Sequence, residues 1–215
     1  MTKPPRTLPK TASVALPQSG AKLNAPSAVR NIGPILQVIT PLMPPSGRAL
    51  EIASGTGEHM ARYAAAFRRL HWQPTDIEPA RLASIDAWGE GLPNLLPAQP
   101  LDASQKGWAK AWPPQDLILF SNLLHLISEA EAETVLREAV LALATGGVFL
   151  IYGPFLRGKS FASEGDRRFH ESLRAEDAEI GYKPVQWVQN ILRNAGLQTN
   201  PPIEMPANNL LLVAQ

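Results

Sequence analysis

Short apolar runs alternate with stretches of helical spacing along most of the chain. Strand-like runs occur at residues 49–52, 72–75, 94–101, 116–120 and 148–152. Between these runs, apolar side chains recur every three or four residues, as on one face of a helix. The continuous run at 116–120 is typical of a parallel strand that is buried on both faces. Strands that alternate with helices predict an α/β fold with helices on both faces of the sheet.

The N-terminal segment differs in character from the rest of the chain. Met1 to about Leu23 is rich in Pro, Lys, Thr and Ser and has no apolar periodicity. A segment of this kind buries too little surface to offset the entropy that it loses on ordering. We therefore predict a flexible tail over residues 1–23 and a single domain over residues 24–215.

The domain is expected to begin with a helical segment interrupted by a proline. Four apolar residues fall on one helical face after Pro26, namely Val29, Ile32, Leu36 and Ile39. Pro34 is expected to end one helical turn and to start the next helix at its first position, where a missing N–H costs nothing.

Composition excludes several classes of protein. The 215 residues carry a formal net charge of +1, so no general basic field indicates nucleic-acid binding. The absence of cysteine excludes disulfides and thiolate metal sites, and four scattered histidines predict no metal centre. No apolar run approaches the roughly 18 residues of a membrane span, and the N-terminus lacks a signal-peptide core. We expect a cytoplasmic protein that binds neither membrane nor nucleic acid.

A glycine turn after the first strand of the domain carries the main chemical signal. Gly55 and Gly57 follow the apolar residues Leu50 and Ile52, and helical spacing begins at Glu58. Such turns place a ligand against backbone N–H groups at a helix N-terminus. A dinucleotide site needs a third small residue three positions after the second glycine. That position is Met60, which has a large side chain. The sequence therefore does not match the dinucleotide pattern at the position where the helix and the strand would pack most closely.

The turn instead resembles motif I of class I S-adenosylmethionine-dependent methyltransferases, with Glu51, Gly55 and Gly57 in the pattern E/D-x-x-x-G-x-G. Further segments resemble the methyltransferase-like 26 family, long described as a domain of unknown function. These segments lie at residues 26–36, 71–76, 152–155 and 205–210. The resemblance implies a Rossmann-like fold: a mostly parallel seven-stranded sheet with helices on both faces and an antiparallel C-terminal strand. It also implies S-adenosylmethionine as cofactor and S-adenosylhomocysteine as product.

The resemblance assigns cofactor contacts to the glycine turn. The backbone from Ala53 and Ser54 to Gly55 and Gly57 would contact the methionyl and ribose parts, while Glu51 would order the loop from beneath.

Asp76, 19 residues after Gly57, ends the second strand of the domain, where a carboxylate can accept both ribose hydroxyls. Its alternative role is a helix N-cap before Pro79. Asp102 matches the position that contacts the adenine amino group in the wider superfamily, and an Asx turn is its alternative.

Arg30 and Asn31 are expected to lie over the cofactor cleft and to contact the cofactor carboxylate or the substrate. A solvated helix face is the alternative. Basic residues in the irregular stretch 157–177 hint at an anionic substrate, and a solvated loop with a surface helix is the alternative.

The strand at 116–120 ends in Ser121, Asn122, Leu123, Leu124 and His125, at the position of motif IV. The Asn/Asp-Pro-Pro-aromatic sequence of many amide and amino N-methyltransferases is absent here. Asn122 and His125 are the catalytic candidates, since a histidine can remove a hydroxyl proton during methyl transfer. Asn122 is also expected to contact the cofactor. Packing beside the adenosine or capping a turn is the alternative for His125.

The sequence therefore predicts an enzyme that transfers a methyl group from S-adenosylmethionine to oxygen or nitrogen of a small molecule, as a monomer or homodimer. Two alternatives remain open at this point. One is an S-adenosylmethionine-binding protein without catalysis that acts through partners, and the other is a nicotinamide-dependent oxidoreductase.

Overall fold

The computed structural model describes residue 9 and residues 14–215. In chain order, the elements of the described residues are β1 (Leu16–Ser19), β2 (Lys22–Asn24), α1 (Pro26–Ile39), β3 (Gly47–Glu51), α2 (Glu58–Ala66), β4 (Leu70–Asp76), α3 (Pro79–Gly89), β5 (Gln99–Pro100), β6 (Gln115–Ser121), α4 (Glu129–Ala142), β7 (Leu143–Pro154), α5 (Glu164–Glu176), α6 (Val185–Asn194), β8 (Ile203–Glu204) and β9 (Asn209–Ala214). None of these helices is both long and apolar enough to cross a membrane.

A seven-stranded sheet organises the domain, in the order β5-β4-β3-β6-β7-β9-β8. The pairs from β5 to β7 are parallel, whereas β9 runs antiparallel to β7 and to β8. The mostly parallel sheet and its antiparallel C-terminal strand confirm the predicted fold class. Strand order reverses between β3 and β6, and ligands of open α/β sheets bind at such a point, beyond the carboxyl ends of the strands.

Side chains of the central strands alternate between two apolar layers, because successive residues of a strand point to opposite faces. One layer joins Ile118 and Phe120 of β6 to α4 and α6. The other layer joins Leu117 and Leu119 of the same strand to α1 and α2, through residues such as Tyr63. Helices thus cover both faces, as the apolar pattern predicts.

Helix α1 corrects the expected break at Pro34. The helix starts with Pro26 at its first turn and continues through Pro34 to Ile39. Its buried face is formed by Ala28, Ile35 and Ile39, whereas Val29 is 54 % exposed. The face predicted from apolar residues alone is therefore rotated, because the small Ala28 packs inward in place of Val29.

Part of the segment that was predicted to be a flexible tail forms a β-hairpin where the structure describes it. Most of residues 1–13 lies outside the described residues, but β1 and β2 form an antiparallel hairpin. Its second strand is tied to α3: Leu23 N donates to the Ser84 hydroxyl at 2.8 Å, and Trp88 Nε1 donates to the Leu23 carbonyl at 2.9 Å. Lys22 also lies over the Trp88 ring, 5.1 Å from its centre. Tertiary hydrogen bonds supply the order that local composition does not.

Ser84→Ala tests this connection, because the buried Ser84 hydroxyl also donates to the Thr56 carbonyl at 2.7 Å. The hydroxyl therefore links the hairpin to the glycine turn. We expect the free energy of unfolding to fall by about 1–2 kcal/mol and the Leu23 amide to exchange faster. Denaturant titration and hydrogen exchange measure the two effects, with the exposed Ser160→Ala as control. Unchanged exchange at Leu23 would contradict the assigned link.

Residues 157–177 form a helix over most of their length rather than an irregular loop. The Ser163 side chain caps α5 by accepting a hydrogen bond from Asp166 N. The predicted third strand at residues 94–101 is interrupted: Gln99 and Pro100 pair with the end of β4, and Leu95 forms an isolated parallel bridge with Trp72 of β4. A capping box begins α4, with the side chains of Ser128 and Glu131 each accepting from the other's backbone N–H.

Candidate functional site

A cavity of about 180 Å³ opens at the carboxyl ends of the parallel strands, where the strand order reverses. The residues that follow β3, β4, β5 and β6 line it, with the start of α1 and the first turn of α4 closing its sides. Among the predicted site residues, those on the lining are Glu51, Ala53, Ser54, Gly55, Asp76, Asp102 and Asn122. The lining does not include Gly57, Arg30, Asn31 or His125.

The glycine turn adopts backbone conformations that its glycines permit. Gly55 and Gly57 have φ values of 61° and 86°, and Ala53 has a φ of 55°. A Cβ on Gly57 would lie 2.6 Å from the Ile85 Cα, so this glycine allows α2 and α3 to pack closely. Gly57 therefore supports the site through packing, while Gly55 lies on the cavity wall.

Asp76 holds the turn in place with its carboxylate. Its Oδ2 accepts from Gly55 N at 2.9 Å, and its Oδ1 accepts from Ile77 N at 2.8 Å and Glu78 N at 3.1 Å. The side chain is buried, and burial raises its pKa against the opposing effect of Arg81. Asp76 thus joins the end of β4 to the loop after β3, and it also faces the cavity.

Glu51 lies beneath the turn and is 2 % exposed. Thr75 and Ser54 tie its backbone to β4: the Thr75 hydroxyl donates to the Glu51 carbonyl at 2.8 Å, and Ser54 N donates to the Thr75 carbonyl at 2.8 Å. Burial raises the pKa of the Glu51 carboxyl to about 7, and repulsion from Asp76 adds to the increase. Within the described part of the chain, Glu51 Oε2 has no hydrogen-bond partner.

His59 is a lining residue that the sequence reasoning missed. It lies on the first turn of α2 and stacks on Tyr63 with ring centres 5.9 Å apart. Burial lowers the pKa of His59 to about 4, although a hydrogen bond to the Ala28 backbone opposes the decrease. The sequence offered one indication that His59 lies at the cavity: it comes two residues after Gly57, at the start of the helix that follows the glycine turn.

Asp102 forms the Asx turn that the sequence left open as its alternative role, and it also lies on the cavity wall. It lines the cavity, and its carboxylate accepts from Ser104 N at 3.1 Å, the Ser104 hydroxyl at 2.6 Å and Gln105 Nε2 at 3.1 Å. These contacts hold the carboxylate in place in an Asx turn next to the cavity wall. Arg81 also lines the cavity and is ion-paired with Glu78 at 3.3 Å.

The two catalytic candidates lie in different places. Asn122 lines the cavity in a left-handed conformation, with φ 56°, and its N–H donates to the Tyr152 carbonyl at 2.8 Å. His125 is buried against Phe169 and Tyr182, with ring centres 5.8 and 6.1 Å away. Burial lowers the pKa of His125 to about 3, and nearby Lys183 lowers it further. The structure therefore does not bring His125 together with the cavity-lining residues.

Ser27 and Ala28 of helix α1, with the preceding residue Ala25, line the cavity, whereas Arg30 and Asn31 do not. Arg30 is exposed on the outer surface and Asn31 is half-buried. The buried face of the helix passes through Ala28, so the helical rotation turns Arg30 towards solvent.

Charges differ sharply between the cavity and α5. Carboxyl groups of Glu51, Asp76, Asp102 and Glu131 line the cavity, against the guanidinium of Arg81. On α5, by contrast, Arg167 is paired with Glu164 and Glu171, and Arg157 nearby is paired with Glu204. These ion pairs offset part of the positive charge that suggested an anionic substrate. In the described residues, no group of three or more His, Asp or Glu side chains is placed to hold a metal ion.

The model of a family described as "Protein of unknown function (DUF938)" matches residues 22–215. Solved structures of similar fold include an O-methyltransferase family protein from Burkholderia thailandensis, at a TM-score of 0.73 and 19% identity over 88% of this chain and 57% of that one. An O-methyltransferase family 2 protein from Planctomyces limnophilus DSM 3776, in complex with apigenin, matches at a TM-score of 0.74 and 18% identity over 88% and 58%.

Human N-acetylserotonin methyltransferase, in complex with S-adenosylmethionine, matches at a TM-score of 0.67 and 14% identity over 88% of this chain and 57% of that one. The chain thus spans under two thirds of the length of these structures. At such identities the similarity establishes the fold alone.

Proposed function

The chain belongs to the DUF938 family of proteins of unknown function, and we propose that it is a methyltransferase that uses S-adenosylmethionine. The acceptor that we propose is a small molecule, methylated at oxygen or nitrogen. The motifs at 26–36, 71–76, 152–155 and 205–210 support a closer relation to the methyltransferase-like 26 family. The three structural relatives described above are methyltransferases by name, and one of them holds the proposed cofactor.

The order of groups along the cavity carries this proposal. Asp102 follows the edge strand β5, Asp76 follows β4, the glycine turn follows β3 and Asn122 follows β6. An extended ligand with an adenine, a ribose and an amino-acid end would meet these groups in sequence. The excess of carboxyl groups suits a ligand that carries a sulfonium and an ammonium. Two buried acceptor atoms that have no partner in the described part of the chain, Glu51 Oε2 and His59 Nε2, also fit a ligand with N–H donors.

The residues of the cavity would act mainly by binding and alignment. Asp76 and Asp102 would hold the ribose and adenine, and the turn from Ala53 to Gly55 would present its backbone to the rest. The cofactor supplies an electrophilic methyl group on a sulfonium. Asn122, at the end of β6, would orient the acceptor, and holding two reactants in line supplies much of the rate enhancement. For His125 the geometry supports a packing role, since its ring lies among Phe169 and Tyr182.

Calorimetric titration with S-adenosylmethionine, S-adenosylhomocysteine and NADH tests the proposal. We expect the two adenosyl ligands to bind in the micromolar range and NADH not to bind, because buried Met60 occupies the place of a third glycine. Mass spectrometry of a panel of small alcohols, phenols and amines incubated with the cofactor then identifies the acceptor. Binding of NADH alone would favour an oxidoreductase. Binding of the adenosyl ligands without any methylated product would favour a cofactor-binding protein that acts through partners.

A further inference from the structure

A second cavity, of about 340 Å³, lies beside the start of α4. The start of α4 borders both cavities: Ile127 and Glu131 line the first cavity, whereas residues 128–130 line the second. The other walls of the second cavity come from α5 and from residues 178–183, and no described residue lines both cavities. Small-molecule sites have volumes of roughly 300–1,000 Å³, so the second cavity has room for a small organic ligand.

Lys183 brings an ammonium group to the wall of the second cavity, although the residue is only 2 % exposed. Its Nζ donates to the Ile127 carbonyl at 2.7 Å and to the Gly181 carbonyl at 2.9 Å. Both acceptors are uncharged, so these two bonds fix the position of the ammonium without neutralising it. A buried charge interacts with a neighbouring anion more strongly than a charge in water does.

His170, on α5, presents a hydrogen-bond donor to the same cavity. Its Nδ1 accepts from Tyr182 N at 3.0 Å. Burial lowers the pKa of His170, and the positive charges of Arg174 and Lys183 lower it further. The negative charge of Glu171 opposes this decrease. The ring is therefore neutral near pH 7, with its lone pair on Nδ1 and its proton on Nε2, and Nε2 is a donor.

Arg174 follows His170 by one helical turn on α5 and also lines the second cavity. In the described part of the chain, no carboxylate forms an ion pair with its guanidinium. Arg167 of the same helix is by contrast paired with Glu164 and Glu171, and it does not line the cavity. The second cavity thus has an unpaired guanidinium, a group that binds carboxylate or phosphate through two parallel hydrogen bonds.

Two carboxylates also line the second cavity, those of Glu129 and Glu179. Both residues are exposed, so water and salt screen their charges, whereas the ammonium of Lys183 is buried. The buried part of the wall therefore favours a negative group, and the two carboxylates act on it from the solvent side.

We propose that the second cavity binds a small organic molecule through a carboxylate or phosphate group. The negative group lies against Arg174 and Lys183 and accepts a hydrogen bond from Nε2 of His170. This site is separate from the cavity assigned to the cofactor, and the inference does not depend on the proposed function.

Titration of the isotope-labelled protein with succinate and with glycerol 3-phosphate, followed by heteronuclear NMR, tests the proposal. Sodium chloride keeps the ionic strength constant. We expect saturable shifts of the Ala130, Gly181 and Lys183 amides, with a dissociation constant of about 1 mM or less for at least one of the two probes. The probe that binds more tightly identifies the negative group as a carboxylate or a phosphate.

Arg174→Gln should lower the affinity for the tighter probe about tenfold or more, because it removes a charged donor. Arg168→Gln is the matched control, since Arg168 is an exposed arginine of the same helix that does not line the cavity. That control should bind the probe as the unmodified protein does.

His170→Asn separates the two nitrogens of the ring. Asn can place its amide oxygen near the position of Nδ1, so the variant keeps an acceptor for Tyr182 N and loses the donor at Nε2. We expect the affinity for the probe to fall about fivefold, as for the loss of one hydrogen bond to a charged group.

Glu129→Gln should change the affinity in the opposite direction. Removal of an exposed carboxylate from the cavity wall reduces repulsion of the anion, so we expect binding to strengthen about twofold. A variant that merely damaged the fold would lower the affinity instead. A fall in affinity would therefore count against the site.

Three results would overturn the proposal. One is the absence of saturable shifts at Ala130, Gly181 and Lys183 with both probes. Another is an equal loss of affinity in Arg174→Gln and Arg168→Gln, which would indicate a general effect of charge. The third is a set of shifts confined to the amides of Gly55 and Asn122, which would place the anion in the first cavity.

Discussion

Gly57→Ala is expected to lower the free energy of unfolding by about 2–4 kcal/mol, the largest effect that we expect from a single methyl group in this protein. Two costs add at this position. The φ of 86° disfavours any residue with a Cβ, and the new Cβ would lie 2.6 Å from Ile85 Cα, an atom of the backbone that cannot rotate away. Helices α2 and α3 would have to separate, and the cavity that the glycine turn borders would deform with them. Denaturant titration followed by circular dichroism measures the loss.

Gly91→Ala is the matched control for this prediction. Gly91 has a similar φ of 81°, but a Cβ there would meet no atom within 4 Å. Gly91→Ala should therefore lower the free energy of unfolding only by the backbone contribution of roughly 1 kcal/mol, because its new Cβ meets no other atom. Equal stability of the two variants would contradict the close packing assigned to Gly57.

Asp76→Ala is expected to lower the affinity for S-adenosylhomocysteine roughly a hundredfold. The variant removes a proposed contact with the ligand and the hydrogen bonds that shape the cavity wall. The carboxylate accepts three backbone hydrogen bonds, including that of Gly55 in the turn after β3. Without it, the amides of Gly55, Ile77 and Glu78 lose their acceptor, and the turn loses one of its connections to β4. Calorimetry measures the affinity, and heteronuclear NMR of the Gly55 amide reports on the turn.

Asp86→Ala provides the matched control, because its exposed carboxylate also accepts a backbone hydrogen bond, from Ala98 N at 2.7 Å, but does not line the cavity. That variant should bind S-adenosylhomocysteine as the unmodified protein does. If Asp76→Ala retained the affinity of the control, the ribose assignment would be withdrawn, and Asp76 would keep its structural role in the turn.

The local features of the sequence predicted much of the cavity. Gly55, Asp76, Asp102 and Asn122 each follow an apolar run, so their position at the ends of strands could be inferred without coordinates. The carboxyl ends of parallel strands meet at one edge of a sheet, which explains why these residues share one cavity. The resemblance to the motifs of class I methyltransferases predicted the fold, because the same residue types occur at the same strand ends in that fold.

Local features of the sequence did not predict which histidine lines the cavity. His125 follows β6 at the motif IV position, yet its ring packs among aromatic side chains of other elements. His59 has no motif of its own, but the first turn of α2 carries it to the cavity beside Ala28. Which way a ring points depends on helix rotation and on neighbours that are remote in sequence, so spacing along the chain does not decide it.

By itself, the sequence determined the α/β class, the strand ends that carry polar groups and the glycine turn, because these features depend on periodicity and on the backbone freedom of single residues. Tertiary structure alone decided that residues 16–24 form a hairpin, that α1 continues through Pro34 and that Glu51 and His59 have buried acceptor atoms without partners among the described residues. These features arise from hydrogen bonds and desolvation between segments far apart in the chain, such as Leu23 with Ser84. They exist only once the sheet and its helices have come together.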